Sequence, residues 1–427
     1  MSRRPQPLIR LLSILLLVSI LSIDMLKAEM FADRIEAIQV EGNDKTKTSV
    51  IESLSHLEVG EEVTQKLLDE AKDRIKSSGL FEEVEVDRVR SPNHRRVVIR
   101  LRVKEKQSWF VAPSFQFSTN ALTGGFVFGE SNFLGRNKKA LVFADYGPSA
   151  RRFVMAYRDP SVWESDLTLA VDSIFRWDRM IEYEDRSEIR RVRLLDYGAT
   201  ILPGYRWSQK FVSSVGTYYR KVDEKLKSES QALNRVGLRE GYDVAIVVKF
   251  EYDDTTNYDG LFHGARISLE STLSDNRFYS DFDYNKEELR FSSGIVFMNR
   301  EYNWQNHMSI QLGQNLPYYR EYTSGGNNLR GYIDRQFRGD TKYSLSEEFY
   351  YPIHNFARFI VRGILFYDTN VIYFKDAEFS RDAWKNGMGG GLRFYMKGIV
   401  IPLIGFDAAW GAEDHTYATY LSVGATF

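Results

Sequence analysis

The stretch ARISLESTL, residues 265–273, alternates apolar and polar side chains almost without a break. Its apolar positions include Ile267, Leu269 and Leu273, and most of the intervening positions are charged or hydroxylated. Because a β-strand sends successive side chains to opposite faces, this period of two predicts a strand with one apolar face and one polar face.

The same alternation recurs along the C-terminal three quarters of the chain. It is clear in LRFYM (392–396) and in the final YLSVGATF (420–427), and sixteen such segments fit between Ser108 and Phe427. An apolar face toward lipid and a polar face toward the lumen are typical of transmembrane β-barrels. The sequence therefore predicts a mainly β protein whose residues 107–427 form a 16-stranded antiparallel transmembrane β-barrel.

The predicted connections support this interpretation. The four longest are 176–190, 223–240, 315–342 and 371–383. If the first strand begins on the periplasmic side, all four join an odd-numbered strand to the next even-numbered one. Membrane barrels have long external loops and short periplasmic turns, and a soluble β-sandwich has no reason to sort its loops in this way.

Composition agrees with a membrane barrel and excludes several other classes of protein. Aromatic residues make up 14% of the chain, and such barrels carry aromatic girdles at both interfaces. Cysteine is absent, which excludes disulfides and thiolate metal sites. The 57 Lys and Arg balance 58 Asp and Glu, so no basic field indicates a nucleic-acid partner. A secreted all-β protein is the alternative that composition leaves open.

The N-terminus has the three parts of a secretory signal peptide. Basic MSRRPQPLIR is followed by apolar LLSILLLVSILSI, and LKA before Glu29 is a candidate cleavage site. We therefore predict that residues 1–28 are a signal peptide. A transmembrane anchor is the alternative, although the apolar run is short for a span of about 20 residues.

Residues 29–106 are predicted to form a separate small α+β domain. IEAIQVEG predicts a strand that ends at Gly42, and two helical segments follow it. In the second of these, TQKLLDEAKDRIKSSG, Thr64 is a candidate cap and Gly79 a candidate end. FEEVEVDRV and RRVVIRLRV predict two further strands, so the predicted order is β-α-α-β-β.

This module resembles a POTRA domain, the periplasmic module of the BamA/TamA family of outer-membrane assembly proteins. The resemblance rests on GNDKTKT (42–48) after the first strand and on SSGLFEEV (77–84) before the second. It implies an exposed edge, formed by the second strand and the second helix, that adds a client strand through backbone hydrogen bonds. The alternative is a module that only spaces or braces the barrel.

The barrel region resembles the same superfamily, the surface antigen family, through motifs that occur in the family's order. They are GESNFLGRNKKALVFADYG (129–147), KFEYDDTTNYDGLFHGARISLE (249–270), GGNNLRGY (325–332), LFYDTN (365–370) and GGGLRF (389–394). The second lacks the family's usual arginine and proline, and Asn370 stands where glycine is common. The resemblance covers residues 33–427. It implies a location in the bacterial cell outer membrane, with the N-terminal domain in the periplasm.

The connection 315–342 contains the superfamily's arginine motif. In the family this loop folds into the lumen, and its arginine pairs with acids on the inner wall through the planar fork of the guanidinium. Tyr350 stands where the family often has an arginine. The alternative is an ordinary turn with a solvated arginine. The resemblance implies a loop latch and two loop glycines, namely Arg330, Gly331, Tyr332, Asp368 and Glu348, with Gly325 and Gly326.

The first and last strands, 108–119 and 416–427, must pair to close the barrel. Pro113 cannot donate a ladder hydrogen bond, and Gly424 weakens the packing of its strand. We therefore predict a weak lateral seam that opens toward the membrane. Its candidate residues are Val111, Pro113, Phe115, Val423, Gly424 and Phe427.

No pattern in the chain indicates an enzyme. We find no nucleophile elbow, no HExxH and no histidines at metal-ligand spacing, so we expect no catalytic residue, metal or cofactor. The resemblance implies assembly, insertion or translocation of proteins at the outer membrane. The expected partners are the lipid bilayer, unfolded outer-membrane or secreted clients, and periplasmic accessory proteins or chaperones. A dedicated secretion pore and a passive porin are the alternatives.

Overall fold

The computed structural model describes residues 33–90, 96–118, 121–184, 186–229, 237–258, 260–376, 380–396 and 402–423. The predicted signal peptide, residues 1–28, lies outside the described residues. The described chain forms two compact units. The first runs to Ser108 and includes Ser131–Asn137, and the second contains Trp109–Glu130 and the chain from Lys138 onward. Among the described residues, no helix is both long and apolar enough to cross a membrane.

The first unit is the predicted α+β domain. Its elements are β1 (Arg34–Glu41), α1 (Thr48–Ser55), α2 (Gln65–Ser77), β2 (Phe81–Arg90) and β3 (Arg96–Glu105). The sheet order is β1-β3-β2, with β1 parallel and β2 antiparallel to β3. Thr64 caps α2 by accepting a hydrogen bond from the backbone N–H of Leu67 at 3.1 Å. Because the sheet order is β1-β3-β2, strand β2 is an edge strand. Helix α2 packs beside it.

One face of this small sheet packs on the helices and the other carries paired charges. The apolar side chains of β3 are buried against the helices, and Ile99 and Leu101 are fully enclosed. On the opposite face Arg102 contacts Glu41, Glu85 and Asp87. This exposed face is therefore neutralised by its own ion pairs.

The turn Ser131–Asn137 belongs to the first unit through hydrogen bonds to the loop after β1. The backbone N–H of Lys47 donates to the carbonyl of Gly135 at 2.9 Å. The Asn132 amide donates to the hydroxyl of Thr46 at 2.8 Å, in a buried position. Two segments that carried the family resemblance, one near residue 45 and one near residue 135, are thus packed together.

The second unit is built almost entirely of strands, three of which have only three residues each. In chain order the strands are β4 (Trp109–Ser118), β5 (Ala121–Phe133), β6 (Lys138–Tyr146), β7 (Ala150–Asp159), β8 (Leu167–Glu184), β9 (Ser187–Arg206), β10 (Phe211–Glu229), β11 (Glu240–Asp253), β12 (Thr256–Tyr258), β13 (Leu261–Ser274), β14 (Tyr284–Phe297), β15 (Tyr302–Gln314), β16 (Tyr322–Ser324), β17 (Phe337–Gly339), β18 (Thr341–Asn355), β19 (Phe359–Tyr373), β20 (Trp384–Met396), β21 (Pro402–Gly411) and β22 (Thr416–Val423).

These strands form a closed antiparallel ring, which confirms the predicted barrel. Within the described residues, sixteen strands make up the wall, because β12 only extends the pairing of β13 while β16 and β17 pair with each other. We call the end at which β4 begins the near end, and the opposite end the far end. The connection between β15 and β18, which carries β16 and β17, therefore leaves the wall at the far end.

The two faces of the wall follow the alternation read from the sequence. On β13, Ile267, Leu269 and Leu273 face outward and are each about two fifths exposed, whereas Thr272 and Ser274 face inward and are buried. The outer belt is thus apolar, and the inner wall carries hydroxyls and charges that pair with one another or with the loop.

Two predicted loops contain strand that the sequence pattern did not predict. Strands β8 and β9 pair until Glu184 meets Ser187, so the predicted connection 176–190 is wrong. Strand β10 likewise continues to Glu229. The outward alternation there is interrupted by Arg179, Arg193 and Lys225, because these strands extend past the lipid belt, where charged outward positions are tolerated. Their length, 18 to 20 residues, is about twice what a bilayer crossing needs.

Candidate functional site

The connection between β15 and β18 lies inside the barrel. It makes a 3₁₀ turn at Tyr318–Arg320, then the short β16–β17 hairpin, and most of its residues are buried. Its side chains contact inward-facing residues of the wall. The Gly-Gly-Asn-Asn stretch at the hairpin tip thus occupies the lumen, where a long irregular segment can have its polar groups satisfied by the inner wall.

Arg330 is the best-connected residue of this loop. Its Nε and Nη2 donate to the two carboxylate oxygens of Asp368, each at 2.7 Å, and its backbone N–H donates to the same carboxylate at 3.1 Å. Its Nη1 lies 2.8 Å from Glu348 and 3.7 Å from Asp407. The side chain is 7% exposed, so the bidentate pair with Asp368 is protected from water.

The wall around Arg330 holds its acidic partners in position. Tyr350 donates its hydroxyl hydrogen to Glu348 at 2.7 Å, and Ser346 donates to Asp368 at 2.6 Å. Tyr350 therefore acts as a hydrogen-bond donor to the acid that pairs with Arg330. The guanidinium carbon of Arg330 also lies 3.5 Å from the centre of the Phe366 ring, a stacked cation–π contact.

Gly331 and Tyr332 connect the loop to the last strand. The Gly331 N–H donates to the hydroxyl oxygen of Tyr420 at 3.0 Å, and the Tyr420 hydroxyl donates to the carbonyl of Tyr332 at 3.1 Å. Gly331 has φ of +102°, and a Cβ there would lie 2.4 Å from the backbone nitrogen of Gly411. Only glycine fits this close approach between the loop and the wall.

The paired loop glycines reverse the chain in the same crowded space. Gly325 and Gly326 both have positive φ, +117° and +66°. A Cβ on Gly325 would lie 2.0 Å from the carbonyl oxygen of Ile333. Asn328 closes the turn by accepting from the Gly325 N–H at 3.0 Å, and Asn370 on the wall donates to the Asn328 carbonyl at 3.0 Å.

A second anchor holds the root of the loop, at the 3₁₀ turn. Asp243, fully buried on β11, accepts hydrogen bonds from the hydroxyls of Tyr218, Tyr284 and Tyr319 and lies 3.4 Å from Arg320. Apolar side chains from the inner faces of β8, β9 and β10 pack against the same turn. We call Asp243, Tyr319 and Arg320 the root anchor.

A third contact reaches the opposite side of the barrel. Arg335 donates to Asp178 at 2.6 Å. Its neighbour Gln336 donates at 2.7 Å to Asp414, on the turn between β21 and β22. Asp178 lies on the fifth wall strand and Asp368 on the thirteenth, so the two acids are half a ring apart in the described sixteen-stranded order. The loop therefore spans the lumen from wall to wall.

The structure brings together all five residues of the sequence-derived latch, and it adds partners that sequence reasoning missed. The missed residues are Asp407, Tyr420, Asp243 and Asp178. Strand alternation predicts that Asp407 and Tyr420 point into the lumen. Nothing in the local sequence, however, links them to a loop about 80 residues away. No group of acids and histidines among the described residues could hold a metal ion.

The described residues include only part of the predicted seam. Strands β22 and β4 share three described residue pairs, in which Phe115, Gln116 and Phe117 oppose Val423, Ser422 and Leu421. Val111 and Pro113 face β5 residues in the described register. The predicted seam residues Gly424 and Phe427 lie outside the described residues.

A chamber lies below the root anchor on the near half of the lumen. Its volume is about 680 Å³, and it is lined by nine Lys and Arg residues and five carboxylates. Arg320 and Tyr218 form part of its lining. The root anchor and the charged chamber therefore meet at one surface inside the barrel.

Comparison with known proteins identifies the group to which this architecture belongs. Residues 132–427 match the Omp85 superfamily domain, and residues 34–106 match the POTRA model described as a surface antigen variable number repeat. The chain is similar to the outer membrane protein assembly factor BamA of Nitratidesulfovibrio vulgaris, with 21% identity over 428 residues. That match covers 92% of this chain and 51% of the relative, so the chain spans about half its length.

Solved structures share the fold. BamA from Haemophilus ducreyi lacking POTRA domains 1–3 has a TM-score of 0.63 and 16% identity, and the match covers 92% of this chain and 85% of that one. CdiB from Escherichia coli has a TM-score of 0.66 and 14% identity, over 92% and 77% of the two chains.

The family match fixes the orientation of the barrel and confirms the predicted location. The POTRA domain lies in the periplasm, so the near end is periplasmic and the far end, where the lumenal loop leaves the wall, is external. The chain belongs to the Omp85 superfamily, as an outer-membrane β-barrel with a periplasmic POTRA domain.

Proposed function

We propose that this protein assembles or inserts other proteins at the outer membrane, using the seam between β4 and β22 to pair with client strands. The observation that carries the proposal is Pro113 on β4, a seam strand of this Omp85 barrel, because proline has no N–H to donate to a strand ladder. A strand edge that is released there can add a client strand through backbone hydrogen bonds.

The loop latch supports a seam that is regulated from within. Tyr420 belongs to β22, one of the two seam strands, and it bonds to both Gly331 and Tyr332 of the loop. Release of these hydrogen bonds detaches the lumenal side of β22 from the loop. The energy for client transfer comes from client folding, because a chain with more paired strands is more stable in lipid, where unpaired backbone groups are costly.

The POTRA domain supplies a second strand edge on the periplasmic side. Strand β2 is an edge of the sheet. Its side chains Glu85 and Asp87 form ion pairs with Arg102 on β3. We infer that β2 receives unfolded clients, or the accessory proteins and chaperones that deliver them, through main-chain hydrogen bonds. This recognition tolerates many client sequences.

The test is a disulfide across the seam. Phe115 and Val423 are directly opposite in the register, so cysteines at these two positions have Cβ atoms about 5 Å apart. The chain has no native cysteine to compete. The readout is the rate at which the reconstituted, oxidised protein accelerates insertion of an unfolded barrel protein into vesicles. We expect locking to abolish acceleration and reduction to restore it.

A matched disulfide provides the control. Leu269 and Leu289 are directly opposite on β13 and β14, so a Leu269→Cys/Leu289→Cys pair staples a ladder far from the seam and leaves the seam free. This control should retain activity when oxidised. Full activity of the oxidised 115–423 variant would refute opening of the seam as the route.

A second candidate, export of one cognate polypeptide through the lumen, is favoured by the charged chamber on the periplasmic side. Its volume of about 680 Å³ and its nine cations suit an extended acidic segment below the loop. The same seam disulfide separates the two functions. Lumenal export continues in the locked barrel, whereas seam-mediated insertion stops.

A further inference from the structure

A row of cations lies on the outer face of the barrel at its external end. Arg179 on β8, Arg193 on β9 and Lys225 on β10 are directly opposite one another in the strand register. Arg151 on β7 lies across from Trp177, two residues before Arg179. We call Arg151, Arg179, Arg193 and Lys225 the cationic row.

The cationic row faces away from the lumen. Leu194 and Val222, the strand neighbours of opposite parity, point inward and are fully buried. Arg151 and Arg179 are exposed. Toward the periplasm, the outward positions on β7, β8 and β9 are apolar or aromatic, namely Phe153, then Trp177 and Phe175, then Leu195 and Tyr197, whereas β10 places Asp223 beside the row. The row therefore borders the apolar belt at the level of the outer-leaflet head groups.

Positive charge in the row exceeds the negative charge beside it. Asp223 is shared, at 3.2 Å from Arg193 and 3.0 Å from Lys225. Within the described chain, Arg151 and Arg179 form no ion pair. Like charges that oppose each other on neighbouring strands repel, as Arg179 and Arg193 do. An anion bound between these strands would remove that repulsion.

Aromatic rings hold two of the guanidinium groups. The Arg151 guanidinium carbon lies 4.6 Å from the centre of the Tyr146 ring and 4.8 Å from that of Trp177. The Arg179 carbon lies 5.4 Å from the same Trp177 ring. Stacking uses the flat face of a guanidinium and leaves the N–H groups at its edge for an acceptor. Phosphate oxygens match that edge with paired hydrogen bonds.

We propose that the cationic row binds the phosphorylated head group of a lipid in the outer leaflet. The phosphates contact the arginines, and the acyl chains lie along the aromatic surface below them. The source is a lipid and not free phosphate, because the cations border the apolar belt and Phe175 and Tyr197 continue the site toward the membrane centre. This inference is independent of which client the barrel serves.

Native mass spectrometry of the full-length protein tests the proposal. The protein is reconstituted in phosphatidylcholine vesicles that contain either lipid A or dephosphorylated lipid A, and retained lipid is measured after extraction in neutral detergent. The wild-type chain should retain the phosphorylated lipid and lose the other. Because each surface cation contributes roughly fivefold to binding of an anionic lipid, the Arg151→Gln/Arg179→Gln/Arg193→Gln variant should bind on the order of 100-fold more weakly.

A variant with the same change in net charge provides the control. Lys66→Gln/Lys72→Gln/Lys76→Gln removes three exposed cations from α2 of the POTRA domain and should leave lipid retention unchanged. Equal losses in both variants would reveal a general charge effect and overturn the proposal. Equal retention of the two lipids by the wild-type chain, which requires no substitution, would overturn it as well. Displacement of bound lipid A by inorganic phosphate would identify the ligand as the free ion and also reject a lipid site.

Discussion

Arg330 has three carboxylates around it and almost no access to water. Each of these ion pairs therefore affects the stability of the barrel more than a surface ion pair does. A buried pair is costly to break because the remaining charge stays desolvated. The backbone N–H of Arg330 also binds Asp368, so the contact fixes the main chain as well as the side chain.

We expect Arg330→Ala to destabilise the barrel by about 3–5 kcal/mol, because Asp368 and Glu348 are left as unpaired buried charges. Urea unfolding in detergent, followed by tryptophan fluorescence, measures the loss. The Arg330→Ala/Asp368→Ala double variant should lose less than the sum of the two single losses. The control is Arg277→Ala, which removes an equally close pair with Asp275 on an exposed turn, and should cost far less because water screens that pair. Equal losses at Arg330 and Arg277 would contradict a buried latch.

Alanine substitutions at Gly42 and Gly60 of the POTRA domain distinguish the cost of a steric clash from the cost of a strained backbone conformation. Both have positive φ, but a Cβ on Gly42 would lie 2.1 Å from the Val103 carbonyl oxygen, whereas one on Gly60 would meet nothing within 4 Å. Gly60→Ala should therefore cost about 1–2 kcal/mol for the left-handed conformation alone. Gly42→Ala should cost at least about 2 kcal/mol more, because the backbone of β3 must move. Amide hydrogen exchange of β3 in the full-length chain measures both losses, and equal losses at the two positions would contradict a backbone clash at Gly42.

The lumenal loop is an element held at separate points, and its root is as well connected as its tip. Asp243 collects hydrogen bonds from three tyrosines of two strands and the loop. Neither the acid nor the tyrosines stood out in the sequence, since each is an ordinary inward position of a strand or loop. Their convergence depends on the ring being closed.

Removing one hydroxyl should loosen the root anchor. Tyr319→Phe deletes a hydrogen bond to the buried Asp243 carboxylate, and such charged hydrogen bonds contribute roughly 1.5–3 kcal/mol. The matched control is Tyr322→Phe, which removes a single long bond of 3.4 Å to the Leu312 carbonyl from the same loop. Hydrogen exchange of the loop amides should rise strongly in the first variant and little in the second. The reverse order would place the anchor elsewhere.

Strand length shows what sequence pattern can and cannot predict. Alternation identified the strands wherever lipid requires an apolar outer face, as on β13. It failed for the ends of β8 and β9, because charged residues such as Arg190 and Glu182 pair with each other inside the extended sheet. The Arg330 partners were found through family resemblance, whereas Arg335–Asp178 joins residues 157 positions apart and has no local signature.

At the scale of the whole barrel, the loop is bonded to the wall on several sides of the lumen. Contacts at Asp178, Asp243 and Asp368 tie it to three parts of the ring. A passive porin leaves an aqueous channel through its barrel. The loop contacts therefore favour a lumen that is closed in the resting state.

Shortening the loop should open that path. Ser324 and Phe337 are directly opposite in the β16–β17 hairpin, so residues 325–336 can be replaced by Asn-Gly, which closes a two-residue hairpin. We expect small, irregular single-channel conductance for the intact chain in planar bilayers and a larger, steady conductance for the shortened one. Arg330→Ala should fall between them. A large ohmic conductance of the intact chain would favour the porin alternative.

The reach of the lumenal loop also constrains the order in which the protein itself can mature. The loop lies between the eleventh and twelfth wall strands, yet it bonds to Tyr420 on the sixteenth and to Asp178 on the fifth. It cannot adopt its final conformation during synthesis or early folding, because its docking sites do not exist until the last strand is added. Seating of the loop is therefore the closing step of maturation, and protection of its amides should appear later in refolding than protection of any wall strand.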